Sequence, residues 1–379
     1  MTVLTNAQLV LADEVIQGTL FIEHGRIVDI RRDVNGSRLP PDAIDLDGDY
    51  LTPGLVDLHT DNLERQVSPR TRARWPSRSA LMTHDAQCAI AGVTTVFDAL
   101  CLGEAGFEKA RTQTFRDGLI DLQTMATTNL LKAEHFLHLR CELLAPEMPD
   151  LLSQSLDHSL VRLVSIMDHS PGVGQYADID RFRLLRQEEG LPDEHIDTLI
   201  NQAKLKRATY SQLHRERVLN LLRERDIPLA SHDDRTTAEI EQNHQDGITI
   251  SEFPVSLEAA RHAKLKGIRC IAGAPNIVRG GSHSGNIAAT DLISEGLLDA
   301  LASDYVPAAM MEAAFILAQK NILNLPAAIA LVSSGPAALV GLNDRGQIAS
   351  GLRADLVRVH VHDGLPVIRS VWRAGERIA

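Results

Sequence analysis

GLVDLHTDNLERQ, residues 54–66, runs through apolar residues to a histidine and an aspartate two positions apart and then turns abruptly polar. Side chains alternate along an extended strand, so His59 and Asp61 share one face and Thr60 points the other way. Imidazole and carboxylate on one face, where a strand leaves the core, can grip one ion together. A lone His-x-Asp arises often by chance, and a single histidine is commonly satisfied inside a core. The reading therefore depends on what the rest of the chain repeats.

Seven more short apolar runs follow: GVTTVFDA (92–99), HFLHLRCE (135–142), RLVSIMDH (162–169), IPLASHDD (227–234), ITISEFPV (248–255), IRCIAGAPN (268–276) and LDALASDY (298–305). Longer segments of helical period separate them, which is the pattern of repeated βα units. Eight units predict an α/β fold, a TIM-like (β/α)8 barrel over residues 53–340. The charged stretch from about 174 to 226 is too long for one crossover helix and predicts an added helical excursion. Residues 1–52 and 341–379 instead alternate apolar and polar in short pieces between Gly, Asn and Pro, which predicts antiparallel strands. The two ends are expected to pair into a composite β-sandwich.

Ionisable residues recur where these runs end: His59 and Asp61, Glu142, His169, His232 and Asp304. Barrel enzymes assemble their sites at the C-terminal ends of the strands, and repeated placement there is much harder to obtain by accident than any one residue. Zinc and similar divalent ions take imidazole and carboxylate from proteins, so His59, Asp61, Glu142, His169 and His232 are the expected ligands of one or two ions. Zinc is the expected ion, with iron or manganese as alternatives. Asp304 is the candidate catalytic base, its competing role being a helix N-cap after the eighth strand. Asp233, beside His232, is a candidate outer hydrogen-bond acceptor. His84, in MTHDAQ, is a candidate outer contact at a helix start that Thr83 would cap.

Two cationic stretches follow strand ends. SPRTRARWPSRS carries Arg70, Arg72 and Arg74, and NIVRGGSHSGN carries Arg279, Gly280, Gly281 and His283. Guanidinium matches phosphate oxygens in paired hydrogen bonds, and a glycine-rich turn lets backbone N–H groups approach an anion. A solvated loop and a tight connecting turn are the structural alternatives. The GGSHSG segment is no Walker motif, since the lysine and the spacing are missing.

The formal charge of −12 over 379 residues disfavours nucleic acid and anionic membrane surfaces as partners, so an anionic ligand must meet local positive charge. No apolar run has the length of a membrane span, and the N-terminus shows no basic-then-apolar leader, which predicts a cytoplasmic protein. Four widely spaced cysteines without a CxxC pair predict buried thiols. A homo-oligomer is left open.

TPGLVDLHTD, the strand-end His169, His232 and Asp304, SSGPAALVGL and GQIASGLRADLV together resemble the amidohydrolase superfamily of metal-dependent hydrolases. The longer motifs HLRCEL, LVSIMDHSPG, LASHDD, GAPNIVRGGSHSGN and LASDYVPA resemble its phosphonate-metabolism branch, across essentially the whole chain. That resemblance implies a divalent-metal barrel with a split β-sandwich, and hydrolysis of a ribosyl triphosphate with release of pyrophosphate. An amide or cyclic-amide hydrolase of the same superfamily is the alternative, and a metal-free interaction protein is the third. Two features depart from the common superfamily pattern: His59 and Asp61 stand where a His-x-His pair is usual, and Glu142 where many members bridge metals with a carboxylated lysine.

Overall fold

The computed structural model describes residues 1–33, 41–70, 73–104, 111–282 and 286–379. All eight apolar runs are strands of one parallel sheet: β6 (Leu55–Thr60), β7 (Val93–Leu102), β8 (Glu134–Glu142), β9 (Val161–Met167), β10 (Leu229–His232), β11 (Ile250–Glu252), β12 (Arg269–Gly273) and β13 (Ala300–Ala302). They hydrogen-bond in chain order. A parallel bridge between Thr60 and Asp304 brings the last strand back to the first. β6 and β7 are buried along their whole length, as strands covered on both faces must be.

One apolar cluster takes Val56 and Leu58, Phe97, Phe136, Leu163, Ala230, Ile250, Ile271, Ala300 and Ala302, so every barrel strand contributes to it. Only the interior of a closed barrel can collect side chains from all eight strands, so the lumen is a packed core and the site must lie above it. The expected excursion is a short helix, Ile179–Glu188, followed by a 30-residue helix, Asp193–Leu222.

The terminal segments are strands, as the alternation predicted: β1 (Thr2–Val10), β2 (Val15–Glu23), β3 (Arg26–Arg32), β4 (Ile44–Asp45) and β5 (Tyr50–Pro53) before the barrel, and β14 (Leu356–His362), β15 (Leu365–Arg373) and β16 (Glu376–Arg377) after it. They form one sheet in the order β16-β15-β14-β5-β1-β2-β3, with β4 beside β1. Its pairings are not all antiparallel. β4 and β5 run parallel to β1, because the chain returns along the edge of β1 that β2 leaves open. The far edge folds back as well, with Ile27 N–H donating to Leu352 O at 2.9 Å and Gly351 N–H to Ile27 O at 2.7 Å. The strands thereby wrap one cluster that includes Leu4, Leu20, Ile27, Leu51, Leu356 and Trp372.

All four cysteines are buried and unbridged. No helix among the described residues is long and apolar enough to cross a membrane.

Gly54 joins the two units. A Cβ there would stand 2.3 Å from Thr94 Oγ1 and 2.9 Å from Asp355 Cβ. Overpacking of this kind costs roughly 1–3 kcal/mol. Gly54→Val is therefore expected to lower unfolding free energy by about that amount in denaturant titration, and an unchanged midpoint would contradict the tight junction.

Candidate metal centre

Five of the eight strand ends deliver one or two polar side chains to the same rim. His59 comes from β6, and Asp61, His169 and Asp233 lie just beyond β6, β9 and β10. His232 and Glu252 are the last residues of β10 and β11, and Asp304 follows β13. Asp233 and Asp304 turn the chain with left-handed φ values of 59° and 56°, a conformation aspartate tolerates better than most residues. Asp304 caps no helix, since the next one begins at Ala309.

These groups approach one another in overlapping triads. His59, Asp61 and Asp304 offer ligand atoms within 4.8 Å of one another, and so do His169, His232 and Asp233. The His59 and His232 rings stack with centroids 5.7 Å apart, and His169 lies 5.5 Å from His232. His59, Asp61, His169, His232, Asp233 and Asp304 all line one cavity of about 240 Å3.

The imidazole nitrogens are sorted by two buried glutamates. Glu252 reaches Nδ1 of His59 at 3.1 Å and Nδ1 of His232 at 3.4 Å, and Glu142 Oε2 meets Nδ1 of His169 at 2.7 Å. A carboxylate on Nδ1 fixes the proton there and leaves Nε2 with its lone pair, the arrangement that orients metal-binding histidines. His59, His169 and His232 thus present Nε2, with Asp61, Asp233 and Asp304 as the adjacent carboxylates. This donor set fits a divalent cation. Glu142, expected as a bridging ligand, is placed behind His169 and does not line the cavity.

Charge in the rim is unevenly compensated. Burial pushes the Asp233 carboxyl up to about 7, and burial together with the negative charge of Asp61 pushes Asp304 up to about 6. Burial acts upward on Asp61 too, but the Arg140 guanidinium outweighs it and holds that carboxyl at about 2. Burial keeps His232 neutral, down at about 3.

The expected phosphate residues divide. Arg279 and Gly281 line the same cavity; Arg279 is the last residue of a short helix, Ala274–Arg279, that Gly280 closes in left-handed conformation. Arg70 is exposed and lies away from the cavity, and Arg74 is turned toward Thr114 at 3.1 Å and Asp117 at 2.7 Å, where a carboxylate on the neighbouring helix satisfies it. Arg72 and His283 lie outside the described residues. Sequence reasoning passed over Arg111 and Arg140, which both line the cavity, and Glu252. Strand alternation could have found Arg140, which shares a face with Glu142. The strand-end rule could have found Glu252, the last residue of β11.

His84 belongs to a separate cluster, fully buried. Its helix, Ser77–Ile90, starts well before Thr83, which bonds back to Ser79 O and caps nothing. His84 Nε2 donates to Asp98 at 2.7 Å and its Nδ1 takes an N–H from Asn62 at 3.0 Å. His135 Nδ1 meets Asp98 at 2.8 Å and its Nε2 meets Asp85 at 3.2 Å. Every ring nitrogen is partnered by protein, so the cluster is complete as a hydrogen-bond network. With a carboxylate on each side, His135 carries both protons.

The chain belongs to the amidohydrolase family, whose profile matches residues 42–365. It is 41% identical over 379 residues to the α-D-ribose 1-methylphosphonate 5-triphosphate diphosphatase of Escherichia coli strain K12, covering 99% of this chain and 100% of that one. The crystal structure of N-acetylglucosamine-6-phosphate deacetylase from Pasteurella multocida shares the fold at a TM-score of 0.65 and 13% identity, covering 99% of each chain. That of 5-methylcytosine deaminase from Klebsiella pneumoniae, liganded with 5-fluorocytosine, gives 0.66 at 13% identity, covering 100% of this chain and 97% of that one.

The His135 network sets a pH dependence of stability. Burial pushes this imidazole down, but Asp98 and Asp85 overcome it and raise it from 6.5 to about 9. A raised histidine stabilises the fold fully below its unfolded pKa, and the contribution is lost as pH climbs through the folded value. Thermal unfolding is expected to show wild-type stability declining from about pH 6.5 to about 9. His135→Gln should be less stable at pH 6 and lose that slope, and a parallel decline in both proteins would contradict the assignment.

Proposed function

We propose that this chain is a divalent-metal hydrolase that converts α-D-ribose 1-methylphosphonate 5-triphosphate to the 5-phosphate and pyrophosphate, as a cytoplasmic enzyme of phosphonate breakdown. One observation carries the reading: a single cavity sets three oriented histidines and three carboxylates against the guanidiniums of Arg111, Arg140 and Arg279. Full-length identity to the Escherichia coli diphosphatase supports the same substrate. An uncharged amide would have no use for three cations beside the reacting centre.

In this reading His59, His169 and His232, with Asp61 and Asp233, hold one or two ions, zinc being the best match to imidazole and carboxylate. When bound, such an ion supplies Lewis acidity toward a phosphoryl oxygen and makes water a better nucleophile. Asp304, at the rim between these groups, takes a proton from the attacking water. The water oxygen bonds to the α-phosphorus, the bond from that phosphorus to the oxygen bridging it to the β-phosphorus breaks, and its electron pair leaves with pyrophosphate. The proton on Asp304 is then passed to the departing pyrophosphate or to solvent. Glu142 and Glu252 keep the imidazoles aimed throughout.

Phosphorus NMR of the purified, zinc-loaded protein tests the reaction. Equal amounts of pyrophosphate and ribosyl 5-phosphate are expected, while release of inorganic phosphate alone, or amide turnover without phosphorus products, would overturn it. Asp304→Asn is expected to keep its metal and lose roughly 10²–10⁴-fold in kcat. His169→Asn and His232→Asn are expected to lose metal in elemental analysis. Glu252→Gln should weaken metal affinity by roughly 10–100-fold, since the histidines remain but are no longer aimed.

A further inference from the structure

Arg140 sits on β8 two residues before Glu142, with its side chain 4% exposed. Its Nη1 lies 2.6 Å from Asp61 Oδ1 and its Nε 3.2 Å from the Met167 thioether. Sulfur is a weak acceptor. Among the described residues Nη2 has no acceptor, although the guanidinium lines the cavity. A buried guanidinium with donors to spare is poorly explained by folding alone, because burial of the charge is costly and one oxygen and one sulfur recover little of its hydrogen bonding. Phosphoryl oxygens supply what is missing, in the planar paired geometry that guanidinium favours and ammonium cannot reproduce.

Depth decides which phosphate. Asp61, the partner of Arg140, lies 3.7 Å from His59 Nε2 and forms a ligand triad with His59 and Asp304. Arg140 is therefore one carboxylate removed from the reacting centre. Arg279 lines the same cavity but is exposed, at its mouth. The phosphorus under attack must lie at the centre, and the outgoing phosphates extend toward the mouth. Arg111, the first residue of its helix, stands 4.0 Å from the other oxygen of Asp61 and 3.0 Å from Glu64. It can hold Asp61 when Arg140 lets go.

We propose that Arg140 is a catalytic residue that binds the nonbridging oxygens of the phosphoryl group under attack, exchanging its contact with Asp61 for that ligand, while Arg111 keeps Asp61 in place and Arg279 serves the outgoing phosphates. This rests on the triphosphate reading above. Negative charge on the transferring group is what such a guanidinium stabilises, so its loss falls on turnover.

The two halves of the substrate can be probed separately, because ribose 5-phosphate carries the inner phosphate and pyrophosphate carries the outer two. Calorimetry on the full-length, zinc-loaded protein is expected to show Arg140→Lys binding ribose 5-phosphate roughly tenfold or more weakly and pyrophosphate nearly as well as wild type. Arg279→Ala should do the reverse. In turnover, Arg140→Lys should lower kcat by roughly 10²-fold with zinc content unchanged, and Arg279→Ala should chiefly raise KM. Should Arg140→Lys fold poorly or lose zinc, Arg140→Gln leaves every metal-holding residue in place and keeps a neutral donor for Asp61. It should likewise lose ribose 5-phosphate affinity and keep that for pyrophosphate. Equal weakening of both probes, or wild-type affinity and kcat in Arg140→Lys, overturns the proposal. Wild-type protein that releases no pyrophosphate from the triphosphate overturns the functional reading instead, and the ribose 5-phosphate arm still reports on Arg140.

Discussion

The backbone seam between the first and last barrel strands is the constraint on which the site depends. Asp304 donates its N–H to the His59 carbonyl at 2.9 Å and accepts the Asp61 N–H at 2.6 Å. Those two bonds close the barrel and, in the same step, fix the positions of three side chains that come from opposite ends of the chain. Asp304 adopts a left-handed backbone to make them, a conformation that persists only where surrounding structure imposes it. The packed lumen below supplies that imposition, since every strand is anchored by an apolar side chain at its centre.

Above the seam, order comes from pairing like with unlike. Imidazoles free to rotate would offer a cation either nitrogen, and buried carboxylates alone would repel one another. Glu252 and Glu142 remove the first freedom by occupying Nδ1 of three histidines. Arg140 and Arg111 relieve the second at Asp61, but at Asp233 and Asp304 burial outweighs the pull of Arg140 and drives the carboxyls toward protonation. The rim is thus incomplete in charge where a dication would sit.

Much of this was legible in the sequence because barrel strands carry their signal locally. Each apolar run could be recognised alone, and His59, His169, His232 and Asp304 stood out as ionisable groups at strand ends. What escaped depends on distant partners. Glu142 and Glu252 look alike in sequence, and only the positions of the histidines around them show that both aim imidazoles. Arg74 and Arg140 differ in the opposite way: the arginine in a conspicuous basic run is claimed by Asp117, while the single arginine inside an apolar strand reaches the cavity. Thr83 had the composition of a cap but lies inside a helix that begins at Ser77. The parallel pairing of β1 with β5 could not be read from alternation, which reports faces and not strand direction.

The composite sheet also has a temporal consequence. β5 leads directly into the barrel, yet its outer neighbour β14 is made almost at the end of synthesis, and Asp49 and Arg358, which tie the two together, are 309 residues apart in the chain. A growing polypeptide therefore carries an unpaired β5 edge through the making of all eight βα units. Such long-range closure is slow, and an open strand edge invites pairing with other chains. Docking of β14 onto β5 is in this sense the latch that ends the period of exposure, and a nascent chain stalled before Leu356 would remain adhesive.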